Sequence, residues 1–221
     1  MSSPDPHGKP RRRPGRPRKL PVAEQRAVVV AAARGVFAEH GPQAGTIEQI
    51  ARRAGLSRQA VYDQFRDRAA VLDAVVREIE EQAFAAIGAP AARWADPDLR
   101  AWTRANFASM FDFVAAHPEA LPVLQEAERT GDPALTRLRG RLADVYAEAV
   151  RARWAAHGVQ TGRGDRALVA MYFAMTEALV GLTGEGDPAD RYALIELLTE
   201  FTVGGVLRLY EHTPGILYRL R

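Results

Sequence analysis

The stretch from Thr46 to Phe65 constrains this chain most, because it spells two short helices joined by a tight turn. Thr46, followed three residues later by Gln49, is a capping-box pattern: the hydroxyl takes an orphan amide of the first turn and the Gln side chain returns the bond. Ile47, Ile50 and Ala51 recur on one helical face, and the pattern stops at Ala54-Gly55, where glycine supplies the positive φ that ends a helix cheaply. Ser57 is placed to cap a second helix. Its inward residues would be Ala60, Val61 and Phe65, leaving Arg58, Gln59, Tyr62 and Asp63 facing outward as groups able to hydrogen-bond phosphates and base edges.

The charge distribution points the same way. The formal net charge is only +3, but Lys9, Arg11, Arg12, Arg13, Arg16, Arg18 and Lys19 oppose Asp5 alone, so residues 1–19 carry +6. Residues 20–68 add +2 and the remainder sums to −5. A polyanionic partner is therefore expected for the amino-terminal third. Residues 1–20 are rich in Pro, Arg and Ser and nearly devoid of apolar side chains, so they read as a disordered basic arm. Within it, Gly15-Arg16-Pro17 flanked by Arg13 and Arg18 fits two readings: an AT-hook-like segment laying Arg16 and Arg18 into an A·T-rich minor groove, or a tail attracted to any phosphate.

The chain resembles the tetracycline-repressor (TetR) family of one-component transcription regulators. The resemblance begins at Val29-Val30-Ala31-Ala32-Ala33-Arg34-Gly35-Val36-Phe37-Ala38-Glu39-His40-Gly41. It continues through Thr46, Ile50-Ala51, Ala54-Gly55-Leu56-Ser57, Tyr62-x-x-Phe65, Arg68 and Leu72. It departs at Gln64, where the family commonly has His, and at Arg68, where it has Lys; both keep a donor and bear on base preference. By motif the resemblance covers roughly residues 22–75. It implies DNA contacts from Thr46, Ser57, Arg58, Gln59, Tyr62, Gln64 and Arg68, with Arg58 and Gln59 as base readers and Thr46, Tyr62 and Arg68 on phosphates.

After Phe65, Asp67 can cap a helix through Leu72, Val75, Val76 and Ile79 to about Ile87. Three Asp-Pro pairs, Asp96-Pro97, Asp132-Pro133 and Asp187-Pro188, each place an N-cap acceptor before a proline suited to the first helical position. A short helix interrupted by Pro122 fits about Glu119 to Glu128. A long one ends at His157-Gly158, Asp165 caps another through Leu182, and the last extends to about Glu211. No strand pattern is present. The expected fold is all-α, about nine helices, with a helix-turn-helix unit at 21–68 and a larger helical body at 69–221.

The body is rich in aromatic and Met residues at helical spacing, most of which must be core. Small-molecule pockets also sit between helices and are lined by such residues. The family places its effector there, so Trp102, Asn106, Met110, Phe113, Gln125, Tyr172, Met175 and Thr176 are the expected pocket. The final helix is apolar around more than one face, and Gly204-Gly205 permits close backbone approach. Leu179, Leu198, Phe201, Gly204 and Gly205 are therefore the expected homodimer interface.

Other chemistry is poorly served. The chain has no cysteine, and its five histidines never fall within one helical turn of each other, so no metal site and no cofactor are expected. No nucleophile elbow, Walker pattern or Ser/His/acid spacing suggests an enzyme. No run approaches a membrane span. The sequence thus reads as a cytoplasmic, homodimeric regulator, a repressor that leaves a palindromic double-stranded DNA operator when a small apolar or aromatic effector binds. The alternative is a constitutive architectural DNA-binding protein without an effector.

Overall fold

The computed structural model describes residues 21–158, 164–181, 188–213 and 215–219, and all regular structure among them is helical. The basic arm, Arg16 and Arg18 included, lies outside the described residues, as do Leu182 and Asp187. Four helices come first: α1 (Val22–Ala44), α2 (Ile47–Ala54), α3 (Arg58–Tyr62) and α4 (Arg68–Gly88). A 3-10 turn (Ala91–Arg93) leads to α5 (Leu99–Ala116), α6 (Ala120–Arg129), α7 (Ala134–Ala156), α8 (Gly164–Val180), α9 (Pro188–His212) and the short α10 (Gly215–Arg219).

Helix α1 buries the stripe Val29, Val30, Ala33, Val36 and Phe37 against α2, α4 and α6. Removing each of the valines and the phenylalanine from water stabilises the fold by about 1.5–3 kcal/mol. The helix breaks at Gly41, whose φ of 78° is inexpensive only for glycine, and Pro42 opens one further turn.

Helix α4 organises the rest. Asp67 caps it by accepting the Ala70 N–H (2.8 Å), and Val71, Leu72, Val75, Val76, Ile79, Ala83 and Ile87 are buried along it. It packs against α1 on one side and α5, α6 and α7 on others, so one continuous apolar core runs from Val29 to Leu198. Displacement of α4 must therefore be felt by the amino-terminal helices and by the body together.

The Asp-Pro expectation needs correction. Asp98, not Asp96, caps α5, accepting the Ala101 N–H at 2.9 Å, while Asp96 accepts the Asp98 N–H one turn earlier. At α7, Pro133 itself occupies the cap position without a side-chain bond, and Asp132 pairs with Arg137. Pro188 does open α9. Asp165 lies inside the first turn of α8, fully buried, where its Oδ1 accepts the Arg166 N–H (2.8 Å) and Arg151 bonds its Oδ2 at 2.7 and 3.0 Å. Pro122 does not interrupt α6, because it falls in the first turn, where a missing N–H has no partner to lose.

Candidate nucleic-acid interface and internal cavity

The turn between α2 and α3 is built as its residue types dictate. The Thr46 hydroxyl accepts the Gln49 N–H (3.2 Å) and the Gln49 side chain accepts the Thr46 N–H (2.8 Å), completing the capping box. Gly55 ends α2 with φ 66°, and Ser57 caps α3 by accepting the Ala60 N–H (3.1 Å). Val61 and Phe65 are buried and anchor α3 to the core, which turns the opposite face outward.

On that face Arg58, Gln59 and Tyr62 are exposed, Tyr62 by 42%. The Gln59 amide donates to Asp63 (2.9 Å), one helical turn away. Thr46 and Ser57 are also exposed, with their hydroxyl oxygens already engaged in capping. Gln64 is half-buried and its backbone carbonyl accepts from Arg26 (3.0 Å), whose guanidinium lies 4.1 Å over the Phe65 ring.

Arg68 stands apart from this surface. Its guanidinium turns inward and donates to the carbonyls of Gly45 (2.6 Å), Gln43 (3.3 Å) and Pro42. These are carbonyls at the end of α1, so Arg68 braces the joint between α1 and α4 and is not presented as an open phosphate ligand. Sequence alone could not show this, because the carbonyls converge only after the break at Gly41.

The body holds a cavity of about 390 Å³ between α5, α7, α8 and α9, open to the surface beside Met171, Phe201 and Leu207 and within the range of small-molecule sites. Trp102, Asn106, Tyr172 and Met175 line it as expected. Met110, Phe113, Gln125 and Thr176 do not. Met110 and Phe113 are buried core residues, the latter packed 4.8 Å from the His117 ring; Gln125 is on the exposed side of α6; and the Thr176 hydroxyl is bonded back to the Tyr172 carbonyl (2.7 Å).

The walls also include Tyr146, Arg153, Trp154 and Thr202, which the sequence reading did not name as pocket residues. Tyr146 extends the buried stripe of Leu135, Leu138 and Leu142 on α7, so a hydroxyl ending an apolar stripe was the available signal. Four buried polar atoms on the cavity wall have no hydrogen-bond partner: Trp102 Nε1, Asn106 Oδ1, the Tyr172 hydroxyl and Thr202 Oγ1. The Tyr146 hydroxyl, by contrast, donates to the Ile87 carbonyl at the end of α4 (2.8 Å). Burial pushes the Tyr146 phenol up to about 12 and raises Tyr172 as well, so both remain protonated at neutral pH.

Around the mouth of the cavity, α8 and α9 expose Met171, Phe201 and Leu207, which also line it, with Leu197 and the exposed Gly204 and Gly205 beside them; Phe201 is 63% exposed. Leu179 is half-buried. Leu198 departs from the expectation: it is 3% exposed and packs in the core of the chain, which removes it from any outer face. Arg100 and Arg104 bond Glu196 (2.6 and 2.5 Å), holding α9 against α5.

Among the described residues no group of His, Cys, Asp or Glu could hold a metal ion, and no helix is long and apolar enough to cross a membrane. An exposed helix after a glycine turn, seated by a capped helix on a larger helical body, defines a DNA-binding regulator of the helix-turn-helix class. Residues 29–75 match the family described as bacterial regulatory proteins, tetR family. Over most of the chain the fold is that of solved TetR-like proteins. A TetR-like transcriptional regulator from Rhodococcus sp. RHA1 is 20% identical over 86% of this chain and 99% of its own, with a TM-score of 0.65. A tetR-family transcriptional regulator from Streptomyces coelicolor is 20% identical over 90% and 89%, with a TM-score of 0.68. A protein from Mesorhizobium loti described as a putative tetR-family transcriptional regulator is 19% identical over 84% and 98%, with a TM-score of 0.63. No curated protein is significantly similar in sequence. The amino-terminal helices thus carry a tetR-family domain, on a chain whose fold is that of solved TetR-like proteins.

Proposed function

We propose that this protein is a homodimeric repressor that leaves a palindromic operator when a small apolar or aromatic molecule enters the cavity of its body. The observation that carries the reading is the Tyr146 bond to Ile87: a cavity-wall side chain holds the last turn of the helix whose first turn follows the recognition helix. Residues 21–68 form the DNA-binding unit, preceded by the basic arm of residues 1–20, and residues 69–221 form the effector-binding and dimerisation body.

Helix α3 enters the major groove. Arg58 reads guanine and Gln59 adenine, the latter by exchanging its bond to Asp63 for one to the base; each bidentate contact discriminates by about 1–3 kcal/mol. Tyr62, Thr46, Ser57 and Gln64 contact the backbone around it, and the arm with Arg16 and Arg18 follows the flanking duplex. Arg68 acts indirectly by fixing the angle between α1 and α4.

A second copy covers the exposed face of α8 and α9, with Phe201, Gly204, Gly205 and Leu179 at the contact, so that two recognition helices meet half-sites about one helical turn apart. A ligand that binds one α4 position better than the other shifts that spacing by its differential affinity. The test is operator selection from random duplexes with the full chain. The reading requires paired, inverted half-sites and loss of binding when a cavity ligand is added. Ligand-insensitive binding to single or unpaired sites would instead favour a constitutive architectural protein.

A further inference from the structure

The cavity wall specifies more than an apolar occupant, and the following rests on the cavity being the effector site. We infer that the effector is an uncharged, hydroxyl-bearing aromatic molecule, its hydroxyl seated between Asn106 and Trp102 on α5.

The amide orientation of Asn106 follows from its neighbour. Its Nδ2 donates to the Trp102 carbonyl at 2.7 Å, so the Oδ1 must be the atom left over, and it is an acceptor only. One turn away the Trp102 Nε1–H is left over too, and it is a donor only. Asn106 is 1% and Trp102 8% exposed, so both atoms are removed from bulk water and carry the cost of an unmade bond. A hydroxyl is the smallest group that donates to one and accepts from the other. An ether or ketone would leave Asn106 unmet, and a carboxylate would repel its Oδ1.

Charge points the same way. Among the described residues the cavity wall contains no Asp or Glu to balance a cation. Among the described residues Arg153 is its permanent cation, and that guanidinium is already engaged by the carbonyls of Trp94 (2.9 Å), Asp96 (2.6 Å) and Pro97 (3.3 Å) and lies 5.3 Å over the Trp102 ring. A buried anion would have to take Arg153 from these partners and still be desolvated. The flat body follows from the aromatic walls, Trp102, Tyr146 and Tyr172, whose ring faces favour stacked occupants. Thr202 and Tyr172, both left without partners on the wall, can serve a second polar group on the molecule.

Calorimetric titration of the full chain with naphthalene, 2-naphthol, 2-naphthoate and 2-naphthylmethylammonium tests this. 2-Naphthol should bind about tenfold or more tightly than naphthalene, and more tightly than either charged probe. The ratio of the two neutral affinities is the readout. It should fall towards one in Asn106→Leu, which cannot accept a bond, and stay near the parent value in Thr202→Val if the hydroxyl sits at α5. Equal affinities for naphthalene and 2-naphthol, a preference that survives Asn106→Leu, or tighter binding of either charged probe would overturn the inference while leaving the cavity as the effector site. Failure of all four to bind would overturn both.

Discussion

Arg34 on α1 offers the sharpest energetic test of how the amino-terminal helices are fastened to the body. Its guanidinium bonds Glu119 at 2.7 and 2.9 Å, Glu78 at 3.0 Å, Gln82 at 2.6 Å and His117 Nδ1 at 2.9 Å, joining α1 to α4 and to the corner between α5 and α6. Arg34 is 12% and Glu119 7% exposed, so this is a buried pair. Substituting Arg34→Met keeps the aliphatic stem but leaves the Glu119 carboxylate without its cation. Breaking such a pair from one side costs about 3–5 kcal/mol, and since Glu78 is much more exposed and can turn to water, the lower end applies. At roughly 2–4 °C per kcal/mol for a chain of this size, the melting temperature should fall by about 6–12 °C at fixed protein concentration. Adding Glu119→Gln removes the stranded charge and should restore a large part of the loss, giving a coupling of about 1–3 kcal/mol in the double-mutant cycle. A loss under about 1 kcal/mol, the range of exposed pairs, or additive single effects would refute the claim that this pair fastens the joint.

Arg58→Ala should weaken operator binding by about 1–3 kcal/mol and relax selectivity at one base position, read by competition with single-base operator variants. Tyr62→Ala should weaken all duplexes alike and leave the subunit association intact; unchanged affinity would remove Tyr62 from the backbone contacts. Phe201→Glu places a charge on the exposed α9 face and should reduce the mass seen by light scattering to that of the 24.2 kDa chain, while a parent that already shows this mass would dispose of the dimer. Deleting residues 1–19 should flatten the dependence of log affinity on log salt by roughly 4–5 units if two or three basic residues per subunit meet phosphate. Greater loss on A·T-rich than on G·C-rich flanks would assign Arg16 and Arg18 to the minor groove.

What could be read from the sequence was local. The capping box at Thr46 and Gln49, the left-handed Gly55 and the Ser57 cap each involve partners within four residues, so the helix-turn-helix was legible before any packing was known. Asp67 as the cap of α4 was legible for the same reason. The Asp-Pro pairs misled because Asp98 competes with Asp96 for the first turn of α5, and the choice depends on how the preceding 3-10 turn delivers the chain. Helical spacing showed that Met110, Phe113 and Thr176 face inward but not which neighbour they face. They pack in the core, whereas the cavity opens one or two turns away at Trp102 and Asn106. Arg68, expected on phosphate, and Leu198, expected at the dimer interface, lie elsewhere for a similar reason, since the carbonyls bracing one and the core enclosing the other come from distant segments.

The central claim is that the cavity and the DNA-binding surface bias one shared element, α4, and the most direct measurement is the affinity of the chain for 2-naphthol with and without saturating operator. Linkage requires that operator weaken 2-naphthol binding by the same factor by which 2-naphthol weakens operator binding, about 5- to 150-fold for a coupling of 1–3 kcal/mol. Equal factors in that range are expected, falling towards one when Tyr146→Phe removes the bond to Ile87. A 2-naphthol affinity that operator leaves unchanged would contradict it.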